Sequence, residues 1–407
     1  MNRRVFLPLL ATGLSAFAVA SPATAQPAGG ARPFTMETVG AFDAPWAIAF
    51  LGDGRALVTE KKGKLKLWQP GGSVSDIAGV PAVATTGQSG LFDIALAPDF
   101  ASSRRVYLTY AEPRPNGSSM ALARATLNLA AGGGRLDDFQ VIWRQGSDGA
   151  GGHYGAIIAF APDGRHLFLT AGDRQRFAPA QDMNQRLGKV LRLTLDGKPA
   201  PGNPWAGKTG TPTVRVTDPP KNSGSAAGAP AREHPVEGAN TAPAEIWSLG
   251  HRNPYGLAFA PDGRLWQTEM GPKGGDELNL IERGKNYGYP IVSNGQNYDD
   301  SDIPDHPTRP EFQAPVQYWV PAISPGGFAF YSGRLFPQWK GSGFIAALSG
   351  KALIRVAVNG ATATKADHWD MGTRIRDVAE APDGSLFVLE DGGRGANGKL
   401  MRLTPAG

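Results

Sequence analysis

Two sets of residues in this 407-residue chain have types and spacings that could do chemistry. His153 stands in GGHYGAI (151–157), after a glycine pair and ahead of an alternating run that Asp173 closes. Imidazole titrates near neutral pH without tuning, so His153 is a candidate general base. The plain alternative is a turn histidine that happens to ionise there. Arg374 and Arg376 in TRIRDV are two apart, a spacing that puts both side chains on one face of a strand. Two guanidiniums pointing together need an anion, and bidentate pairing with carboxylates meets that need. The alternative is two solvated surface arginines.

A repeat positions these residues. FLGDGRALVTE (50–60), FAPDGRHLFLTAGD (160–173), FAPDGRLWQTE (259–269) and EAPDGSLFVLED (380–391) share one order: apolar residue, turn, alternating strand, acidic residue. LAPDFASSRRVYLTY (96–110) is a looser copy, and FAFYSGRLFPQ (328–338) is another with Ser-Gly as the turn. Asp-Gly suits the positive φ angles of a tight two-residue turn, and the alternation gives each strand one buried face. Six such hairpins at blade-like spacing predict an all-β fold, a six-bladed β-propeller with four-stranded blades. A β-sandwich with frequent Asp-Gly turns is the competing architecture. The Pro/Ala/Gly/Ser-rich stretch at 199–243 reads as a long surface loop inserted in one propeller domain spanning 26–407.

Composition sets the bounds. With 41% hydrophobic residues the chain can bury a sizeable core. Glycine (54) and proline (34) make about a fifth of it, which suits many short strands and tight turns. The net charge of +5 is modest and scattered, without a basic stripe interleaved with aromatics, so nucleic acid is not an expected partner. Residues 1–25 have a basic start, an apolar run and a small-residue site ending at Ala25, the pattern of an export signal. Arg3 and Arg4 followed by VFL resemble a twin-arginine signal, with an ordinary secretory signal as the alternative. The apolar run is too short to span a bilayer, and no later stretch is long enough. The expected product is a periplasmic protein without stable membrane insertion, a monomer or homodimer. The absence of cysteine means that it uses no disulfides there.

Four stretches interrupt the repeat: TTGQSGLFDIALAPDF (85–100), GGHYGAI, EIWSLGHRNPYGLAFAPDG (245–263) and EMGPKGGDELNLIERGKNYGYP (269–290). Polar residues flanked by glycine at strand ends are well placed to face a ligand. These stretches, with GKVLRLTLDGK (188–198), resemble the soluble quinoprotein glucose/sorbosone dehydrogenase family, including aldose sugar dehydrogenases that use pyrroloquinoline quinone (PQQ). The resemblance runs from about Pro45 to Leu403 and implies a six-bladed propeller. It puts His153 in the place of the general base and Asp173 in that of the carboxylate that orients it. Arg252, Asn253 and Gln88 match cofactor-contacting residues, with Arg252 beside the reacting carbonyl. Arg374 and Arg376 match positions facing the cofactor's carboxylates. His251 reads as structural. Gly271 and Pro272 match residues whose carbonyls hold calcium under PQQ, and Glu277 with Tyr287 implies a second, structural calcium. Oxygen-rich sites of this kind suit calcium.

Some positions depart from the pattern. Where many relatives have a lysine, this chain has Ser349, with Lys351 two residues on, shifted by about 6–7 Å along a strand. Lys351 is the candidate replacement. Gly152 and Ala322 stand where glucose-specialised relatives carry polar residues, which implies loose sugar selectivity. The implied reaction is oxidation of an aldose at C1 to a lactone, with His153 taking the hydroxyl proton and hydride passing to the quinone. An unidentified acceptor then takes the electrons. The alternatives are a calcium-dependent sugar lactonase and a non-catalytic propeller that only binds.

Overall fold

The computed structural model describes residues 32–146, 149–217, 231–392 and 397–406; the export segment expected at 1–25 lies outside them. Six short strands organise the rest: β1 (Pro45–Phe50), β2 (Leu91–Leu96), β3 (Gly155–Phe160), β4 (Pro254–Phe259), β5 (Pro325–Phe330) and β6 (Ile375–Glu380). Each opens a run of four hydrogen-bonded strands, in which it pairs with the second strand of its hairpin. These six inner strands pack side by side in chain order, and β6 returns to β1, so they form a closed ring. The last run takes its outer strand from the other end of the chain. Phe34–Asp43 pairs antiparallel with Asn397–Pro405, with Phe34 opposite Pro405. The all-β expectation is met.

The grouping differs from the expected separate four-stranded units in one place. The runs that start at β1 and β2 are fused into one eight-stranded sheet by a short parallel pairing, Ile77 with Gly134 and Ala78 with Arg135. Glycine allows that approach, because a Cβ on Gly133 would collide with the Asp76 carbonyl.

Every inner strand carries a register shift at its start. A shift of this kind leaves backbone groups outside the ladder, which need other partners. Threonines on the second strands supply them. Thr59 Oγ1 accepts from the Ala47 N–H (3.0 Å) and donates to the Phe92 carbonyl (2.6 Å). Thr109 repeats this with Asp93 N–H (3.0 Å) and the Ala156 carbonyl (2.6 Å), and Thr170 with Ile157 N–H (2.9 Å) and the Pro254 carbonyl (3.1 Å). Each hydroxyl therefore ties its own run to the next inner strand. Two aspartates act similarly. Asp93 accepts from the Ile158 N–H (2.8 Å) and Asp377 from the Ile48 N–H (2.9 Å). Both wall an axial cavity of about 160 Å³ lined by residues of all six inner strands. Burial there pushes Asp93 up to about 6 and Asp377 up to about 7. Trp46, Phe92, Tyr154 and Tyr255 pack ring against ring at the entry ends of β1 to β4.

The Asp-Gly turns are not two-residue turns. At 51–55 the Leu51 N–H reaches the Arg55 carbonyl, and only Gly54 has positive φ (88°). Asp53 instead accepts the Arg55 N–H through its side chain (3.1 Å), and Asp163, Asp262 and Asp383 do the same two residues back from Arg165, Arg264 and Ser385. Aspartate is there for its local carboxylate bond, and glycine alone takes the left-handed conformation. Ser-Gly at 332–333 is not a tight turn either, since the connection from Phe330 to Gly343 includes a short helix, Pro337–Trp339. The stretch at 199–243 is more than a loop. It contains a hairpin, Thr213–Thr217 with Ala231–Pro235, and Val214 and Val216 are buried.

The threonine bridges generate a prediction. Thr109→Val keeps the shape but leaves the Asp93 N–H and the Ala156 carbonyl without their buried partner. Equilibrium unfolding in denaturant should show a loss of about 1–3 kcal/mol. An unchanged midpoint would mean that the bridge contributes nothing.

Candidate active site

The polar residues singled out in the sequence gather at one end of the ring, chiefly in two kinds of position. Gln88, His153, Arg252 with Asn253, and Arg374 lie in the segments leading into β2, β3, β4 and β6. Asp173 and Gly271 lie just past the second strand of their run, as do Lys61 and Asp391. The repeat explains part of this. Its closing acid is a strut: Glu60 accepts the Asp43 N–H (2.8 Å) and Glu269 the Arg252 N–H (2.6 Å), each bracing the segment that enters its own inner strand. In the run of β3 that strand position is Ala171, and the acid comes two residues later as Asp173.

Asp173 is fully buried and lies 2.7 Å from His153 Nδ1. It also accepts the backbone N–H groups of Gln175 (2.9 Å) and Phe177 (3.2 Å). Burial opposes its charge, but His153, Arg252 and the Gln175 N–H outweigh that and hold its pKa below the usual carboxylate value. An ionised Asp173 can only accept, so the imidazole proton sits on Nδ1 and the Nε2 lone pair is free. Burial lowers the His153 pKa, and the charge of Arg252 lowers it further against the pull of Asp173. The ring is therefore a neutral base at neutral pH. Its backbone has φ 49°, in the left-handed region, and its N–H donates to Gln88 Oε1 (2.8 Å). A side chain on Gly152 would run into the Gln88 amide, so the glycine makes room for that contact.

Arg252 is buried and donates from Nη1 to the carbonyls of Gly271 (2.6 Å) and Met270 (3.1 Å). Its Nε and the Oδ1 of Asn253 are buried without protein partners. A Cβ on Gly271 would collide with the carbonyl oxygens of Gly274 and Gly275, so the 270–275 loop crowds main-chain oxygens into a small volume. Such hard oxygen donors suit calcium. Pro272 follows in the same loop and is buried.

Arg374 precedes β6 and Arg376 lies within it, across the register shift, so the simple same-face argument does not apply. They converge all the same. Both hold Asp391, Arg374 Nε at 2.8 Å and Arg376 Nη2 at 2.6 Å. Lys61 belongs to this cluster, donating to the Gly87 carbonyl (2.7 Å) beside Gln88. Burial lowers its pKa, and repulsion from Arg376 lowers it further despite Asp391. Two arginines thus hold one carboxylate, with a third cation, Lys61, near enough to feel Arg376 and Asp391, an arrangement that favours an anionic ligand.

Other expectations fare differently. Ser349 and Lys351 lie in the turn between Gly343–Ala347 and Ala352–Asn359, so no strand puts them on one face. Lys351 is exposed, with φ 48°. Glu277 is buried, takes an amide N–H from Asn279 (3.0 Å) and faces His306 Nε2 at 3.5 Å. The Tyr287 ring stacks on His251, whose ring bonds Glu269 (2.9 Å) and Ser248 (2.9 Å), the structural role expected of it. Lys61, Arg174 and His306 went unnoticed in the sequence because no repeat or motif marks them, and Asp391, the last residue of one copy of the repeat, has nothing local to mark it as the partner of two arginines.

A family profile described as Glucose / Sorbosone dehydrogenase matches residues 42–214 and 225–402. The chain is 37% identical over 380 residues to the aldose sugar dehydrogenase YliI of Escherichia coli K12, covering 89% of this chain and 90% of that protein. Among solved structures, it is similar to the soluble aldose sugar dehydrogenase of E. coli in the apo-form (TM-score 0.77, 36% identity, 92% of this chain and all of that one). It is also similar to the PQQ-bound form of the aldose sugar dehydrogenase of Streptomyces coelicolor (TM-score 0.67, 26% identity, 92% of this chain and all of that one).

If Lys61, Arg374 and Arg376 act as one anion site, neutralising the carboxylate beside them should sharpen it. Asp391→Asn should gain more thermal stability from millimolar phosphate than the unaltered protein does, by about 1 kcal/mol at constant ionic strength. Equal shifts in a thermal melt would show three independent surface cations.

Proposed function

The chain belongs to the glucose/sorbosone dehydrogenase family, and from that premise we propose that it is a PQQ-dependent aldose sugar dehydrogenase. The observation that carries the reading is the buried His153–Asp173 pair beside Arg252, with Nε2 of the imidazole free. A sugar C1 hydroxyl needs an unprotonated base for its proton, and Nε2 of the neutral ring is one. Asp173 keeps the other ring nitrogen protonated and balances the imidazolium as it forms. Arg252, braced by two carbonyls and Glu269, holds a buried positive charge beside that base.

The residues present fit the cofactor. Arg374, Arg376, Gln88 and the partnerless Oδ1 of Asn253 would hold PQQ, and the carbonyls of the 270–275 loop, Gly271 among them, would hold calcium. When bound, PQQ supplies the acceptor for the hydride leaving C1, and calcium supplies positive charge beside it. A lactone is the product. A second, structural calcium would be held by the buried Glu277 and the main-chain oxygen of Tyr287. The closed ring of β1 to β6 supports a six-bladed propeller, with the two fused runs as neighbouring blades. The pattern of residues 1–25 supports export to the periplasm, with Arg3 and Arg4 suiting the twin-arginine route. No helix among the described residues is long and apolar enough to cross a membrane.

His153→Gln should leave PQQ affinity nearly intact and lower the rate of cofactor reduction by roughly two to four orders of magnitude. In the unaltered enzyme, activity requires the neutral ring. kcat/KM should therefore fall as pH drops through a pKa below the ordinary histidine value, and stay level just above it. Near-normal turnover in the variant would remove His153 from the chemistry.

Selectivity should be loose. Gly152 carries no side chain, and Ala322 offers only its carbonyl, already taken by Ser349 Oγ (3.2 Å). Sites reject analogues strongly when their own buried polar groups are left unpaired, and neither Gly152 nor Ala322 supplies a polar side chain. Glucose, galactose and xylose should show kcat/KM values within about one to two orders of magnitude of each other. A side-by-side series with a preference beyond roughly a thousandfold would contradict this.

A further inference from the structure

The residue after Asp173 has no part in the chemistry above, yet it is among the most enclosed charges in the protein. Arg174 has no exposed surface and, among the described residues, no carboxylate within ion-pair distance. Its guanidinium is held by neutral acceptors. Nε donates to the Gly152 carbonyl (3.1 Å) and Nη1 to that of Ser118 (3.3 Å). Nη2 donates to the carbonyls of Gly149 (3.3 Å) and Gly151 (3.1 Å) and to the Tyr154 hydroxyl (3.1 Å). Its central carbon lies 3.9 Å from the centre of the Tyr154 ring. Arg176 takes the remaining carbonyl of the loop, that of Ala150 (2.9 Å), so two buried arginines hold every carbonyl from Gly149 to Gly152.

Burying a charge without a partner ion is expensive, so the contact should have a use. The loop it grips is three-quarters glycine and would otherwise sample many paths. That loop ends at His153. The grip comes from the segment that carries Asp173: Arg174 N–H reaches the His153 carbonyl (3.3 Å), and Gln175 Oε1 accepts the Gly152 N–H (2.7 Å). Arg174 and Gln175 both have positive φ, 57° and 59°, a strained turn that aims successive side chains at one target.

We propose that Arg174 is the positioning residue of the base: its guanidinium fixes the path of 149–152 and with it the direction in which the His153 imidazole faces the sugar. The proposal rests on the reading of His153 as the base. A displaced base of this kind loses rate steeply, because proton transfer depends on alignment. Three charges act on the ring: Asp173, which favours its protonated form, and Arg252 and Arg174, which oppose it.

The test compares Arg174→Met and Arg174→Lys, with two readouts. The first needs no cofactor. With only six histidines, the His153 signal of ¹³C-histidine-labelled apoprotein can be assigned with His153→Gln and titrated. Arg174→Met should titrate at higher pH, by about half a unit or more, as a cation is lost. Arg174→Lys keeps the charge and should stay near the wild-type value. The second readout is turnover per bound PQQ. Both variants should lose about ten- to a hundredfold in kcat with the sugar KM changed only a few-fold, because a lysine cannot span carbonyls on both sides of the loop. Should Arg174→Met not fold, Arg174→Lys carries the test, with unchanged titration and lowered kcat expected. Unaltered turnover per bound PQQ in the folded variants would overturn the proposal and leave Arg174 as a merely structural contact. Turnover of His153→Gln judges the base separately from these arginine variants.

Discussion

The antiparallel pairing of Phe34–Asp43 with Asn397–Pro405 closes the ring, and the site depends on that closure. Gln88, His153, Arg252 and Arg376 belong to four different strand runs. Nothing in their local sequences brings them together; the return of β6 to β1 does. Closure also leaves each inner strand flanked on both sides, so few backbone groups in the middle of the molecule look for outside partners. The threonine and aspartate bridges lock the spacing between neighbouring runs. Small displacements at one inner strand are therefore resisted by the next.

The same repeat that builds the ring also explains how it acquired a reactive corner. In the runs of β1 and β4 the closing acid braces the entry segment of its own inner strand. In the run of β3 that place is alanine, and the carboxylate is displaced by two residues onto an irregular turn. Freed from the brace, it meets an imidazole. A structural carboxylate and an orienting one thus differ here by position along a strand rather than by residue type.

This locates the limit of sequence reading. Alternation and Asp-Gly are local signals, so the hairpins and the all-β class were legible, as were His153, Asp173 and the arginines of HRNP and TRIRDV. The turn type was misjudged because an aspartate that bonds the backbone two residues on looks, in sequence, like one that adopts positive φ. The ring-closing strand, Phe34–Asp43, resembles any alternating segment. Arg174 and Lys61 are single residues whose role comes from partners distant in sequence, such as Ser118 and Gly87. Lys351 was placed on a strand that turns out to be a turn. The misses at Arg174, Lys61 and the ring-closing strand are properties of chain crossing, which local pattern does not encode.

The charge distribution at this end of the ring completes the argument. Arg374 and Arg376 share Asp391 with Lys61 nearby, and among the described residues the buried Arg252 Nε and Asn253 Oδ1 have no partner. His153, Arg174, Gln175 and Phe177 all sit at positive φ. Each feature disfavours the folded state when considered by itself, and such strain persists only where the surroundings over-determine it. The surroundings here are Glu269 on Arg252, the Asp173 bonds to the chain beyond it, and the inner ring beneath. An anionic, polar ligand would relieve the unpaired charges and lone polar atoms together. The rigidity of the ring and the reactivity of its open end are consequences of one arrangement, because only a scaffold that cannot relax can keep so many unsatisfied groups facing the same space.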